Sequence, residues 1–124
     1  MMLVIFVIVI ASLLATFAAR SISVQRDAVS GELLSSRTQS AARAGVQWSA
    51  YRALQQNNCS VGSMSFATGA LRGIRVTTGC VMRQHANSLG TIRAFRFTAL
   101  AQYGNYGSAD YASHRAESLA VRQF

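Results

Sequence analysis

Cys59 and Cys80 are the residues in this chain best suited to covalent chemistry, and they are its only two cysteines. Two thiols can bind a metal, exchange electrons or close a bridge. His85 and His114 supply no paired ligand spacing around them, so a zinc site is not expected. On a head domain exported to an oxidising compartment the two cysteines would pair, and a bridge closing a loop of this length contributes about 3 kcal/mol through the unfolded state. Serine, histidine and aspartate all occur, but none sits in a nucleophile motif. His114, beside Arg115, reads as a surface residue rather than an acid or base. The segment from Tyr103-Gly104 to Gly107 has glycines but neither the lysine nor the strand-to-helix setting of a phosphate-binding loop. No enzymatic activity, cofactor or metal is expected.

The charge points to binding rather than catalysis. Twelve arginines and no lysine give a net charge of +8. Arginine stays protonated at any accessible pH and offers a planar fork to phosphate or carboxylate. One reading is a surface that meets lipid headgroups, an acidic protein neighbour or DNA. The favoured reading is a solvated surface in a protein from an arginine-rich, high-GC genome, which also accounts for the missing lysines. Tyr103, Tyr106 and Tyr111 lie in one glycine-containing turn. They either form a contact element or cover a sheet edge.

These residues have to be carried by three segments. Met1 to Ala19 is an apolar run ended by Arg20; at about 1.5 Å per residue a helix of that length reaches roughly 28 Å, enough to cross a bilayer. Nothing basic precedes it, whereas Arg20 and Arg26 follow. Taken alone, the positive-inside rule would then leave the cysteines in the cytoplasm. A short basic leader removed ahead of Met1 resolves that conflict; a simple anchored protein with its C-terminus inside is the alternative. Residues 1–20 are thus read as a membrane span. Residues 21–58 are read as an amphipathic continuation of the same helix. Leu34, Thr38, Ala41, Gly45 and Trp48 form a narrow stripe there, with Ala42, Val46 and Ala53 beside it, and Trp48 is expected to be a core anchor. Gly31 weakens this helix, either as a packing glycine or as a point where it can stretch.

Residues 59–124 read as a small β-rich head. Such a head is short for an independent core and should pack against the helix. Strands are expected at 61–67, 71–81, 91–101 and 112–124, with a polar connection at 85–90. Ile74, Val76 and Thr78 share one face. The run 91–101 is placed centrally, with Phe95, Phe97 and Ala99 on one side and Ile92, Ala94 and Leu100 on the other. Leu119 and Val121 are expected to point inward. Gly73 and Gly79 mark bends or close backbone approach. The fold class is α+β, one long N-terminal helix packed against a small antiparallel sheet.

This layout is that of a type IV pilin-like subunit, and two short motifs narrow the resemblance. Ala41-Ala-Arg-Ala-Gly-Val-Gln-Trp48 resembles the AARAGxEWG stretch of the MSHA-pilus biogenesis protein P family and, more loosely, PilX-like minor pilins. Tyr103-Gly and Gly107-Ser-Ala-Asp-Tyr-Ala-Ser113 are similar to that family's GSxDYVSR run. Gln47 stands where the family has an acid, and Ser49 where it has glycine. The resemblance implies a leader cut by prepilin peptidase, a mature chain beginning at or near Met1, residence in the bacterial inner membrane with a periplasmic head, and later an extracellular pilus. Its partners would be other minor and major pilins. Major pilins carry a glutamate at the fifth mature position; Ile5 occupies that place here, which implies a subunit that starts or caps the fibre. Two further readings are a pseudopilin of a type II secretion system and a tip receptor binding DNA or a surface. Nucleic acid is the less favoured partner, with Tyr103, Tyr106 and Tyr111 as its contact element.

Overall fold

The structure is a computed structural model that describes residues 2–88 and 90–123. It contains one long helix, α1 (Met2–Gln55), followed by four strands: β1 (Gly62–Ser65), β2 (Arg75–Asn87), β3 (Gly90–Tyr103) and β4 (Ala112–Gln123). The fold is α+β. The strands form one antiparallel sheet in the order β1-β2-β3-β4. The chain divides into two compact units, residues 1–33 and 34–124.

The first unit is helix alone. Its side chains from Leu3 onward are exposed, including Leu3, Ile5, Phe6 and Phe17 at 63–76%. The helix is long and apolar enough to cross a membrane, with mean hydropathy 2.5 in its richest window. A helix that is apolar on every side has no stable place in water and belongs in lipid or among other helices. Ser12 and Thr16, the polar interruptions of the run, donate to the carbonyls of Val9 and Leu13 at 2.8 Å each. Their hydroxyls are therefore satisfied within the helix.

In the second unit Thr38, Ala41 and Gly45 of the expected stripe lie against the sheet, with Leu34 and Trp48 only partly buried. Thr38, Ala41, Ala42, Gly45, Val46, Ser49 and Ala53 are buried. The facing sheet surface is Ile74, Val76 and Thr78 from β2 and Phe95, Phe97, Ala99 and Ala101 from β3. Gly45 sets the approach: a Cβ there would stand 2.6 Å from Val76 Cγ1 and 3.0 Å from the Ala99 methyl. Ala116 and Ala120 of β4 also pack against this core. β3 is central, paired along both edges.

The helix ends at Gln55 rather than Asn58. Asn57 turns into the left-handed region at φ 51°, and the amides of Gln56 and Asn58 both donate to the Arg52 carbonyl at 3.1 Å. Asparagine tolerates this conformation better than most residues, so the polar run 55–58 supplies a terminator rather than more helix.

Other expectations need correction. β1 is shorter than 61–67. β2 begins at Arg75, after a turn in which Gly69 and Gly73 adopt positive φ, and runs on to Asn87. Residues 85–87 are therefore strand, paired with 90–92, and not a polar connection. Leu119 and Val121 are 71% and 69% exposed, on the face turned away from the helix. Register explains this: Phe95 faces Ala120 and Ala99 faces Ala116, so alanines take the inner positions of β4. Gly73 and Gly79 do mark close approach, to the Tyr103 ring and to the Thr98 hydroxyl.

Candidate functional site

The cysteines meet where the helix hands over to the sheet. Cys59 follows the helix terminator, Cys80 lies in β2, and the two are joined by a disulfide across a sequence separation of 21, with Cα atoms 5.2 Å apart. Both side chains pack against the core. The bridge ties the end of α1 to an inner strand. Nearby, the Arg122 guanidinium of β4 donates to the Leu54 carbonyl at 2.8 Å. That carbonyl lies in the last turn of α1, where a cation complements the helix dipole.

Ala41 and Gly45 lie in the helix–sheet contact. Trp48 does not anchor the core: its ring is half-buried, packs over Gly62 of β1, and carries the Arg52 guanidinium 4.6 Å from its centre. Arg52 also donates to Ser60 at 3.3 Å. One helical position on, Ser49 is 3% exposed and fills the buried site instead. The stripe thus rotates toward Ser49 and Ala53 as it passes under the sheet, leaving Trp48 at the β1 edge.

The three tyrosines separate. Tyr103 packs against the core and over Gly73. Tyr111 is half-buried and its hydroxyl accepts from the Gln102 amide at 3.1 Å. Tyr106, 91% exposed, meets Tyr111 edge-on with ring centres 5.4 Å apart. The turn carrying it is held by Ser108 N–H to the Asn105 carbonyl and Tyr111 N–H to the Ser108 carbonyl, with Gly104 and Gly107 at positive φ. Two of the tyrosines therefore build the sheet end, and Tyr106 alone presents a free ring face.

His85 is exposed on the outer sheet face opposite Ile92, and His114 is half-buried on the helix side opposite Ala101. Among the described residues no group of three or more metal-ligating side chains comes together. Ile5 is an exposed position of the apolar helix, 63% accessible. Met1 lies outside the described residues.

Compared with known proteins, the chain matches no family model, no curated protein and no solved structure.

A feature that sequence reading missed is the partition of charge. Residues 1–33 hold Arg20 and Arg26 against Asp27 and Glu32 and are net neutral; residues 34–124 hold ten arginines against Asp110 and Glu117 and carry the whole +8. Arg75, Arg83, Arg96 and Arg115 are all exposed on the sheet face turned from the helix. Val81 and Leu119 flank Arg96 there, and a groove of about 480 Å³ runs between Val81, Arg83, Ala94, Arg96 and Leu119. The strand alternation that assigns Phe95 and Phe97 inward assigns these arginines outward, and counting charge by face would have found them.

Proposed function

We propose that the protein is a minor pilin of a type IV pilus of the MSHA kind, acting when assembly starts or at the fibre tip. The observation that carries this reading is the single helix whose first part is apolar on all sides while its last part packs on a disulfide-stapled antiparallel sheet. Such a helix serves two settings with one surface: lipid before assembly, and a bundle of like helices afterwards. The inner membrane, prepilin peptidase acting on the precursor, and other minor and major pilins are the partners this reading requires. The motifs at 41–48 and 103–113 support the MSHA-type assignment.

The tip placement rests on the absence of acid in the apolar run, where the first carboxylate in the sequence is Asp27; for a pilin whose mature chain starts at Met1, Ile5 would hold the place of the glutamate. A buried carboxylate among apolar helices needs a cationic partner, which in pilins is the N-terminal amine of a neighbour. A subunit without that carboxylate cannot recruit an amine from above, yet its own amine can receive an incoming subunit. Labelling the head and imaging sheared fibres tests the placement: label at fibre ends is expected, and even labelling along the length rejects it. Sequencing the N-terminus of the membrane-borne protein tests the class, because a chain that prepilin peptidase leaves uncut is no pilin.

A further inference from the structure

Ala94 makes a hollow in the sheet face turned away from the helix. Register places Arg83 of β2 and Val121 of β4 directly beside it, and the next row along the strands is Val81, Arg96 and Leu119. A methyl group among longer side chains leaves a depression, and the groove of about 480 Å³ lies there. That is the size of a site for a small ligand or a few residues of peptide. Val81, Leu119 and Val121 are 57%, 71% and 69% exposed, so the aliphatic side chains around it are uncovered.

The charge beside those aliphatics is unanswered. Arg83 and Arg96 are diagonal neighbours on this face, roughly 7–8 Å apart at the backbone. Among the described residues neither side chain has an ion pair or a hydrogen-bonding partner. Glu117, the one acid on the face, stands opposite Thr98, two rows from Ala94. Two guanidinium groups carried this close can both address one carboxylate, and the aliphatic surroundings suit a branched alkyl group. In an extended segment neighbouring side chains point to opposite faces, so an internal acid next to an aliphatic residue cannot offer both to one hollow. A C-terminal leucine, isoleucine or valine carries both on one Cα. Nucleic acid is a poor match, since no aromatic ring lies on this face to stack a base. We propose that the hollow over Ala94 binds an aliphatic carboxylate, presented as the C-terminal residue of a partner protein, with the carboxylate on Arg83 and Arg96 and the alkyl group against Leu119 and Val121. The reading does not depend on the pilus assignment.

The test uses the full chain in non-ionic detergent micelles and the peptide acetyl-GSGSL with a free C-terminal carboxylate, followed through the methyl NMR signals of Ala94, Leu119 and Val121. The peptide should bind and shift these signals. Its C-terminal amide, and acetyl-GSGSG with the carboxylate kept, should each bind roughly tenfold more weakly, and binding of the acid should weaken as salt is raised. A94L, which fills the hollow without touching charge, and R83Q/R96Q, which removes charge without filling it, should each lower affinity about tenfold. R37Q/R43Q removes the same charge from exposed positions of the helix and should leave affinity within about twofold. Circular dichroism melts confirm that each variant is folded. No binding of acetyl-GSGSL, or equal binding of its amide, overturns the proposal. So does equal binding of acetyl-GSGSG, in favour of a general anion surface, or an equal loss in R37Q/R43Q. Isocaproate binding as tightly as the peptide overturns the chain terminus as the source, in favour of a free acid.

Discussion

Replacing Gly45 by alanine tests how closely helix and sheet approach. The added methyl would lie 2.6 Å from Val76 Cγ1, 3.0 Å from the Ala99 methyl and 3.4 Å from Thr78 Cγ2. Val76, Ala99 and Thr78 are 0–1% exposed, so none can swing away. The helix must lift or the strands must shift, and overpacking of this kind costs about 1–3 kcal/mol. Alanine returns up to about 1 kcal/mol as the better helix former. The net expectation is a loss of about 1–2 kcal/mol, read as a fall of roughly 5–15 °C in the melting temperature of a unit this size. Gly31 is the internal control: it sits in the same helix with nothing within 4 Å of its missing Cβ. G31A should be neutral or stabilising by up to about 1 kcal/mol. Circular dichroism melts of the detergent-solubilised chain measure both, and V76A combined with G45A should cost less than the sum of the two single changes, because V76A removes the nearest clashing methyl. A G45A protein as stable as the parent would refute the close helix–sheet contact.

Replacing either cysteine by serine should lower the stability of the head by about 3 kcal/mol, from a loop closed across 21 positions; a thiol-reactive dye applied to the denatured, unreduced parent should find no free sulfur, and stoichiometric reaction would contradict the bridge. W48A should cost about 1–2 kcal/mol, less than a fully buried tryptophan would, because its ring is half-exposed beneath Arg52. Its fluorescence should respond to a water-borne quencher, and complete shielding would argue against the edge position. Y111F should cost about 1 kcal/mol through loss of the Gln102 hydrogen bond, whereas Y106A should change stability by less than about 0.5 kcal/mol; chemical denaturation of both variants separates the structural tyrosine from the exposed one.

The parts legible in the sequence were those governed by strong periodicity or rare residues. The apolar run, the small-residue stripe from Thr38 to Ala53, the inward set Phe95, Phe97 and Ala99, and the two cysteines all belong to that class. The misreadings share a cause. Leu119 and Val121 were expected inside because large aliphatics usually are. Here, however, the inner positions of β4 and of the last part of β3 beside the close-lying helix are Ala116, Ala120, Ala99 and Ala101, and Leu119 and Val121 of β4 stand outside. Residues 81–87 are exposed on both faces, so β2 loses its apolar alternation there and its outer half resembles a loop. Trp48 lay on the stripe by spacing, but the angle at which the stripe crosses the sheet is set by three-dimensional packing. The candidate surface was least legible of all, since the arginines are scattered in sequence and share a face only through register.

The disulfide also decides which parts of the head can feel a pull. Tension entering through α1 and leaving through β3 and β4 reaches Cys59 and passes directly to Cys80. Residues 60–79, which contain β1 and the glycine turn before β2, lie inside the closed loop and carry no load. In the oxidised protein that slack can never be paid out. Reduction would release it, lengthening the stretched chain by about 65–70 Å, which is 21 positions at about 3.3–3.6 Å per residue less the 5.2 Å already spanned between the two Cα atoms. The bridge therefore acts as a limit on extensibility: intact, it confines any yielding under tension to the helix, to β2 from Cys80 onward, and to β3 and β4.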